Sequence, residues 1–109
     1  MQIAFSTPQL RDLCENSEKA QEEWGNDAAA MLRRRLADFV AAETINDMIA
    51  LNLIPIESRQ NAELQLPLTT KVCLTIAPNQ YDKGSFKDGI VQWQKVGRIK
   101  ILKIEVCHE

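Results

Sequence analysis

His108 is the chain's one histidine, and it closes a run that reads Arg98-Ile99-Lys100-Ile101-Leu102-Lys103-Ile104-Glu105-Val106-Cys107. A free imidazole titrates near pH ~6.5 and can both accept and return a proton. Held on a rigid strand beside Lys100 and Lys103, it suits proton transfer on a phosphate-containing substrate. A solvated, idle chain end is the plainer reading of the same residue. Cys107 reads as a small packing residue, although a neighbouring imidazolium would lower its thiol pKa and make it reactive.

The element that must present this histidine is a strand. Ile99 to Val106 is rich in β-branched residues and contains neither Gly nor Pro, so nothing interrupts its pairing. Its apolar residues change phase, with Ile99 and Ile101 on one face and Leu102, Ile104 and Val106 on the other. That pattern predicts an interior strand bulged near Ile101, with His108 continuing the even-numbered face to the point where packing meets water.

The preceding residues supply the scaffold. Gln2 to Phe5 reads as a short strand, after which Thr7 can cap a helix whose first position suits Pro8. Leu10, Leu13, Cys14, Ala20 and Trp24 form one helical stripe closed by Gly25, with Asn26-Asp27 as caps for the next helix. There Leu32, Leu36, Phe39 and Val40 stand at i, i+4, i+7 and i+8 and define a core face. Arg33, Arg34 and Arg35 lie beside it and read first as a solvated face, with phosphate or partner binding as the second reading. A short helical continuation runs through Ile45, Met48 and Ile49. Two alternating runs, Leu64, Leu66, Leu68 and Val72, Leu74, Ile76, flank Thr69-Thr70 and predict a hairpin. Pro67 lacks an amide proton, so its strand belongs at an edge or turns that position outward. Pro78 to Gly89 is a long polar loop, followed by Trp93 and Val96, of which Trp93 reads as a core aromatic. Trp24, beside the helix break, reads as a packing residue at an edge that could serve a partner's groove.

The 109 residues fit one domain, residues 1–109, able to bury roughly two-thirds of its unfolded surface. Three cysteines, at 14, 73 and 107, are an odd number without metal-ligand spacing, which points to reduced thiols rather than a disulfide framework or a zinc site. The first residues lack a basic region followed by an apolar one, and no apolar run nears the ~20 residues that span a bilayer, so a soluble, cytoplasmic, membrane-free protein is expected. A net charge of −2 means that nucleic-acid binding would rest on a local patch. Strand, two helices and three strands imply an α+β fold.

This order, with Trp93-Gln94-Lys95-Val96 ahead of Ile99 to His108, resembles the RelE/ParE toxin superfamily, and most of all the HigB-like killer proteins of plasmid-maintenance toxin–antitoxin modules. The resemblance runs over nearly the whole chain, including Leu10 to Ala42 with the Trp24-Gly25 break, and its specific part is the tail. It implies an N-terminal short strand and two-helix hairpin packed on a mainly antiparallel sheet completed by three C-terminal strands. It further implies a toxin that cuts messenger RNA without metal or other cofactor, on the ribosome or free, and a cognate antitoxin, expected to be of helix-turn-helix type. The ribose 2′-hydroxyl would attack the adjacent phosphate, with His108 as acid or base and Arg59 and Lys71 on the phosphate. The chain departs from the family pattern at three places. Cys107 replaces the tyrosine of a tyrosine–histidine pair, Cys73 falls where an arginine of the third sheet strand is usual, and a basic loop reads Glu57-Ser58-Arg59-Gln60. A thiol cannot clamp a phosphate as a guanidinium does. The same fold used as a catalytically degenerate, antitoxin-binding module is therefore the alternative.

Overall fold

The computed structural model describes residues 1–53, 63–79, 86–87 and 90–106. Its elements run β1 (Gln2–Phe5), α1 (Pro8–Glu15), α2 (Ser17–Trp24), α3 (Asn26–Ala41), α4 (Ile45–Ala50), β2 (Leu64–Pro67), β3 (Val72–Pro78), β4 (Phe86–Lys87), β5 (Ile90–Val91), a 3₁₀ turn over Trp93–Lys95, and β6 (Arg98–Val106). The fold is α+β. Four strands form one mixed sheet in the order β1-β6-β3-β2, while β4 and β5 pair separately.

The bulge expected in the last strand is present and explains its change of phase. Thr75 pairs with Lys103 but the next residue, Ile76, pairs with Ile101, so Leu102 is the extra residue. Two residues of β6 thus oppose one of β3, which brings Ile104 back to the face already occupied by Ile99 and Ile101. Leu74 lies opposite Ile104 and Ile76 opposite Ile101 on that face, with Leu66 and Leu64 continuing it onto β2. The core is built there: Leu64, Leu66, Leu74, Ile76, Ile99 and Ile101 are all fully buried.

Both strand pairings of β3 are antiparallel, as expected, and the hairpin from β2 turns at residues 68–71. Pro67 is tolerated because β2 is a sheet edge. The opening strand is different, since β1 pairs with β6 in parallel and makes the sheet mixed. Ser6 fixes its end by donating its amide to the Ile101 carbonyl at 2.9 Å and its hydroxyl to that of Leu102 at 2.7 Å. The acceptors are the bulged residue and the one before it.

The two-helix hairpin is corrected to four helices among the described residues. The stripe from Leu10 to Trp24 is not one helix, because Asn16 leaves helical geometry at φ −119° and ψ 102°. Its side-chain oxygen accepts the Glu18 and Lys19 amides at 3.1 and 3.3 Å. That local bond competes with the helix and restarts the chain as α2, a cap that contributes about 1 kcal/mol. Thr7 does cap α1, accepting the Leu10 amide at 3.1 Å with Pro8 in the first turn. Gly25 closes α2 at φ 89°, a conformation a side chain would strain. The same glycine also opens α3 without a side-chain cap, so Asn26 and Asp27 are helical residues rather than caps.

In α3, Leu32 and Phe39 are buried and Leu36 half-buried, but Val40 is 67% exposed and leaves the predicted core face. Arg33 and Arg34 are solvated, as their run suggested, while Arg35 is half-buried and paired to Asp38 at 2.9 Å. The short continuation exists as α4, whose Ile45 amide bonds the Val96 carbonyl at 2.8 Å. Trp93, Val96, Ile45 and Met48 are consequently buried together with the rest of the core.

Candidate functional site

The sheet face opposite Leu74 and Ile104 carries a polar constellation among the described residues, in which Thr75 and Cys73 are themselves buried. Register sets Cys73 opposite Glu105, Thr75 opposite Lys103 and Ala77 opposite Lys100. Alternation along a strand gives these residues the face away from Leu74 and Ile104. Lys103 meets the Glu105 carboxylate at 3.4 Å, and the Thr75 hydroxyl donates to the same carboxylate oxygen at 3.4 Å. An exposed pair of this kind contributes less than about 1 kcal/mol. Its importance is electrostatic, because the acid offsets the cation nearest the end of β6.

Lys71 lies on the exposed turn between β2 and β3. The turn is held by Thr69, whose hydroxyl accepts the Lys71 and Val72 amides, each at 3.1 Å, while the Leu68 amide reaches the Val72 carbonyl at 2.8 Å. Val72 stands opposite Val106, the last residue of β6. The turn carrying Lys71 and the strand end leading toward His108 therefore share one end of the sheet. Lys103, across from Thr75, is about 10–13 Å along the strands from that end. His108 and Arg59, the other two site residues expected from the sequence, lie outside the described residues. So does Cys107. Among the described residues no three His, Cys, Asp or Glu side chains gather as a metal-holding group.

The expectation of reduced thiols is corrected at Cys73, which is disulfide-bonded. Odd cysteine number and sequence spacing were poor guides because neither says which residues the fold brings together. Cys73 is also buried, at 8% exposure, as a packing residue should be. Cys14 remains a free thiol, half-buried on α1. Burial first, and the neighbouring Glu15 carboxylate second, push its pKa up to about 11. The thiolate fraction at pH 8 is then roughly a hundredfold below that of an ordinary thiol, partly offset by its greater intrinsic nucleophilicity. Cys14 is expected to react with iodoacetamide roughly tenfold more slowly in the folded chain than after denaturation, a ratio read by mass spectrometry. The same raised pKa adds stability that is complete below pH ~9 and lost as pH rises toward ~11, so the unfolding midpoint should fall across that window.

A second feature lies on the helix side of β6. Leu10 and Leu13 of α1, Trp24 of α2, and Leu102 and Ile104 of β6 line an open groove of about 710 Å³. The ion pair between Lys19 and Asp12 stands at its rim. Trp24 is half-buried, and its indole N–H is buried without a hydrogen-bond partner among the described residues. The sequence signal for this groove was the tryptophan beside the Gly25 break. What the sequence did not indicate was that the bulged half of β6 supplies its other wall.

Compared with protein-family models, with curated proteins and with solved structures, the chain matches none.

Proposed function

We propose that this chain is the toxin of a type II toxin–antitoxin pair, a RelE/ParE-like, HigB-like endoribonuclease that cuts messenger RNA in the cytoplasm without a metal, on the ribosome or free. The observation that carries the reading is the register at one end of the sheet, where Val72 opposes Val106 and Lys71 stands beside the strand that leads to His108. The reading is supported further by a generic α+β order, a short strand and helices ahead of a hairpin and a long last strand.

In this reading His108 takes the proton from the ribose 2′-hydroxyl or returns one to the leaving oxygen, and Lys71 with Arg59 offsets charge on the phosphate. Lys100 adds positive charge along the same strand, whereas Lys103 is offset by Glu105. The cognate antitoxin, a small protein of helix-turn-helix type, silences the toxin by covering this end of the sheet. Its docking would extend to the groove at Trp24.

Expression from a tightly controlled promoter tests the reading in cells. Growth is expected to stop within a few generations of induction, and co-expression of a neighbouring helix-turn-helix gene should restore it. Unhindered growth of cells that accumulate the folded wild-type chain would remove the enzyme reading.

One observation favours a second reading, a catalytically degenerate fold retained as an antitoxin-binding module. Cys73, at the position where the resemblance calls for an arginine, is engaged in a disulfide, and its opposite residue is the acidic Glu105. Capture of the neighbouring gene product with no RNA cleavage would favour that module. Cleaved RNA with cyclic phosphate ends would exclude it.

A further inference from the structure

The two edges of the four-stranded sheet differ. At β2 the Leu68 amide bonds the Val72 carbonyl at 2.8 Å, so alternation turns position 67 outward, where Pro67 has no amide proton to offer. That edge is blunted. At β1 the Gln2 amide bonds the Gly97 carbonyl at 3.3 Å and the Ser6 amide bonds the Ile101 carbonyl at 2.9 Å, so residues 2, 4 and 6 turn their backbone groups toward β6. Ile3 and Phe5 turn theirs outward, and among the described residues no strand takes them up. A concavity of about 390 Å³ borders this strand, lined by residues 3–8 and Arg11. The strand itself reads Gln-Ile-Ala-Phe in an even register, without the charge, proline or bulge that commonly keeps an open edge from pairing.

We propose that this edge is taken by a second copy of the chain, whose β1 lies antiparallel to the first across a two-fold axis at Ala4. The sequence is self-complementary about that point. Ile3 falls opposite the partner's Phe5, and Phe5 opposite the partner's Ile3. All of these are outward-facing positions, so each pair exchanges both of its backbone bonds. Their side chains share the face of Ile99 and Ile101 and are only half-buried in one chain. An aromatic residue set against a β-branched one is a favourable cross-strand pair, and it covers what each leaves in water. Ala4 meets the partner's Ala4 where Cα atoms approach to ~4.5 Å, a position that suits a small side chain. Gln2 falls opposite the partner's Ser6. The contact is thus isologous, the same patch on both copies.

Charge does not oppose the pairing. Lys100 stands beside Ala4, and its copy lies three strand spacings away, about 14 Å, beyond the ~8 Å over which exposed charges act at physiological salt. Arg11, 5.7 Å from the centre of the Phe5 ring, is already matched by Glu15 at 3.4 Å. The two sheets continue as one through the paired β1 strands. Because β1 has only four residues, the contact is small and the dimer forms in proportion to concentration. The inference does not depend on the ribonuclease reading.

Sedimentation velocity on the full chain over a range of concentrations tests it, with a non-reducing gel alongside. The wild type is expected to pass from monomer to dimer as concentration rises. Over the same range the Ile3 and Phe5 amides, followed by NMR, should exchange severalfold more slowly while the amides of β2 do not change. Ala4→Glu sets two carboxylates face to face on the axis, yet within one chain it stands beside Lys100, so the monomer keeps its fold. Dimer affinity should fall tenfold or more. Ala4→Lys should weaken the dimer likewise, and an equal mixture of the two variants should recover it, because unlike charges then meet on the axis. A wild-type chain that stays monomeric, a covalent dimer, or a dimer that Ala4→Glu leaves intact overturns the proposal. If a variant fails to fold, the wild-type exchange decides by itself: slowing confined to Ile3 and Phe5 upholds the interface, and a dimer whose Ile3 and Phe5 amides exchange as in the monomer removes it.

Discussion

His108→Ala is expected to lower RNA cleavage by about 10²–10⁴-fold, the range that a positioned acid or base contributes. The fall should appear in the rate of the chemical step rather than in RNA affinity, because affinity for a polyanion rests on Lys and Arg contacts. The account places the side chain in the chemistry and not in the core, so the variant should unfold within about 0.5 kcal/mol of wild type. Two further measurements separate a proton-transfer role from simple damage. The wild-type rate should change with pH around the imidazole range near ~6.5, and that dependence should vanish in the variant. Lys71→Ala, by contrast, should weaken RNA binding and flatten its salt dependence by about one phosphate contact, without moving the pH profile. A variant at position 108 that keeps full cleavage would assign the chemistry to other residues.

The largest stability effect is expected at Trp93→Ala. Trp93 is 2% exposed, and it sits in the turn against which α4 docks through the Ile45 amide and the Val96 carbonyl. Its removal takes a large apolar surface out of the core and leaves a cavity beside Ile45 and Met48. Changes of this kind cost about 3–5 kcal/mol, a large share of the 5–15 kcal/mol that holds a domain of this size together. A fall in midpoint of roughly 15–30 °C should follow. Trp24 remains as the only other tryptophan and provides the fluorescence signal for the titration. A loss below about 1 kcal/mol would mean that the turn and α4 are not part of the same core. Val40→Ala is the matched control, since that side chain is exposed and its truncation should change little.

The parts of this fold that were legible in the sequence are those fixed by local chemistry. The phase change between Ile101 and Leu102 predicted a bulge because side-chain alternation allows no other way to keep Ile99, Ile101 and Ile104 on one face. Pro67 placed β2 at an edge through its missing amide proton, and Thr7-Pro8 marked the start of α1. Where reading failed, two arrangements competed on nearly equal terms or the deciding contact was distant. Asn16 occupies a position that an unbroken helix would tolerate, and only its side-chain bonds to Glu18 and Lys19 decide for a break. Val40 fits the periodicity of α3, yet tertiary packing leaves it in water. The parallel pairing of β1 with β6 joins residues almost a hundred positions apart, which no local pattern encodes.

The candidate site divides in the same way. The sequence led to an expectation of His108 beside Arg59 or Lys71; of these only Lys71 is among the described residues, on the turn before Val72, which stands opposite Val106. The engaged state of Cys73 was missed because cysteine spacing along the chain does not say which sulfurs the fold brings together. The acid at Glu105 was visible in the sequence, but its attachment to Lys103 and Thr75 depends on which strand faces which. The polar face is therefore less cationic than its lysines alone suggest.

The central claim is that this scaffold cuts RNA by attack of a ribose 2′-hydroxyl. Mapping the ends of messenger RNA recovered from cells shortly after induction tests it most directly. The account predicts new cuts whose upstream fragments end in a 2′,3′-cyclic or 3′-phosphate and whose downstream fragments begin with a free 5′-hydroxyl, all absent with His108→Ala. Intact messenger RNA, or downstream fragments that begin with a 5′-phosphate, would contradict it.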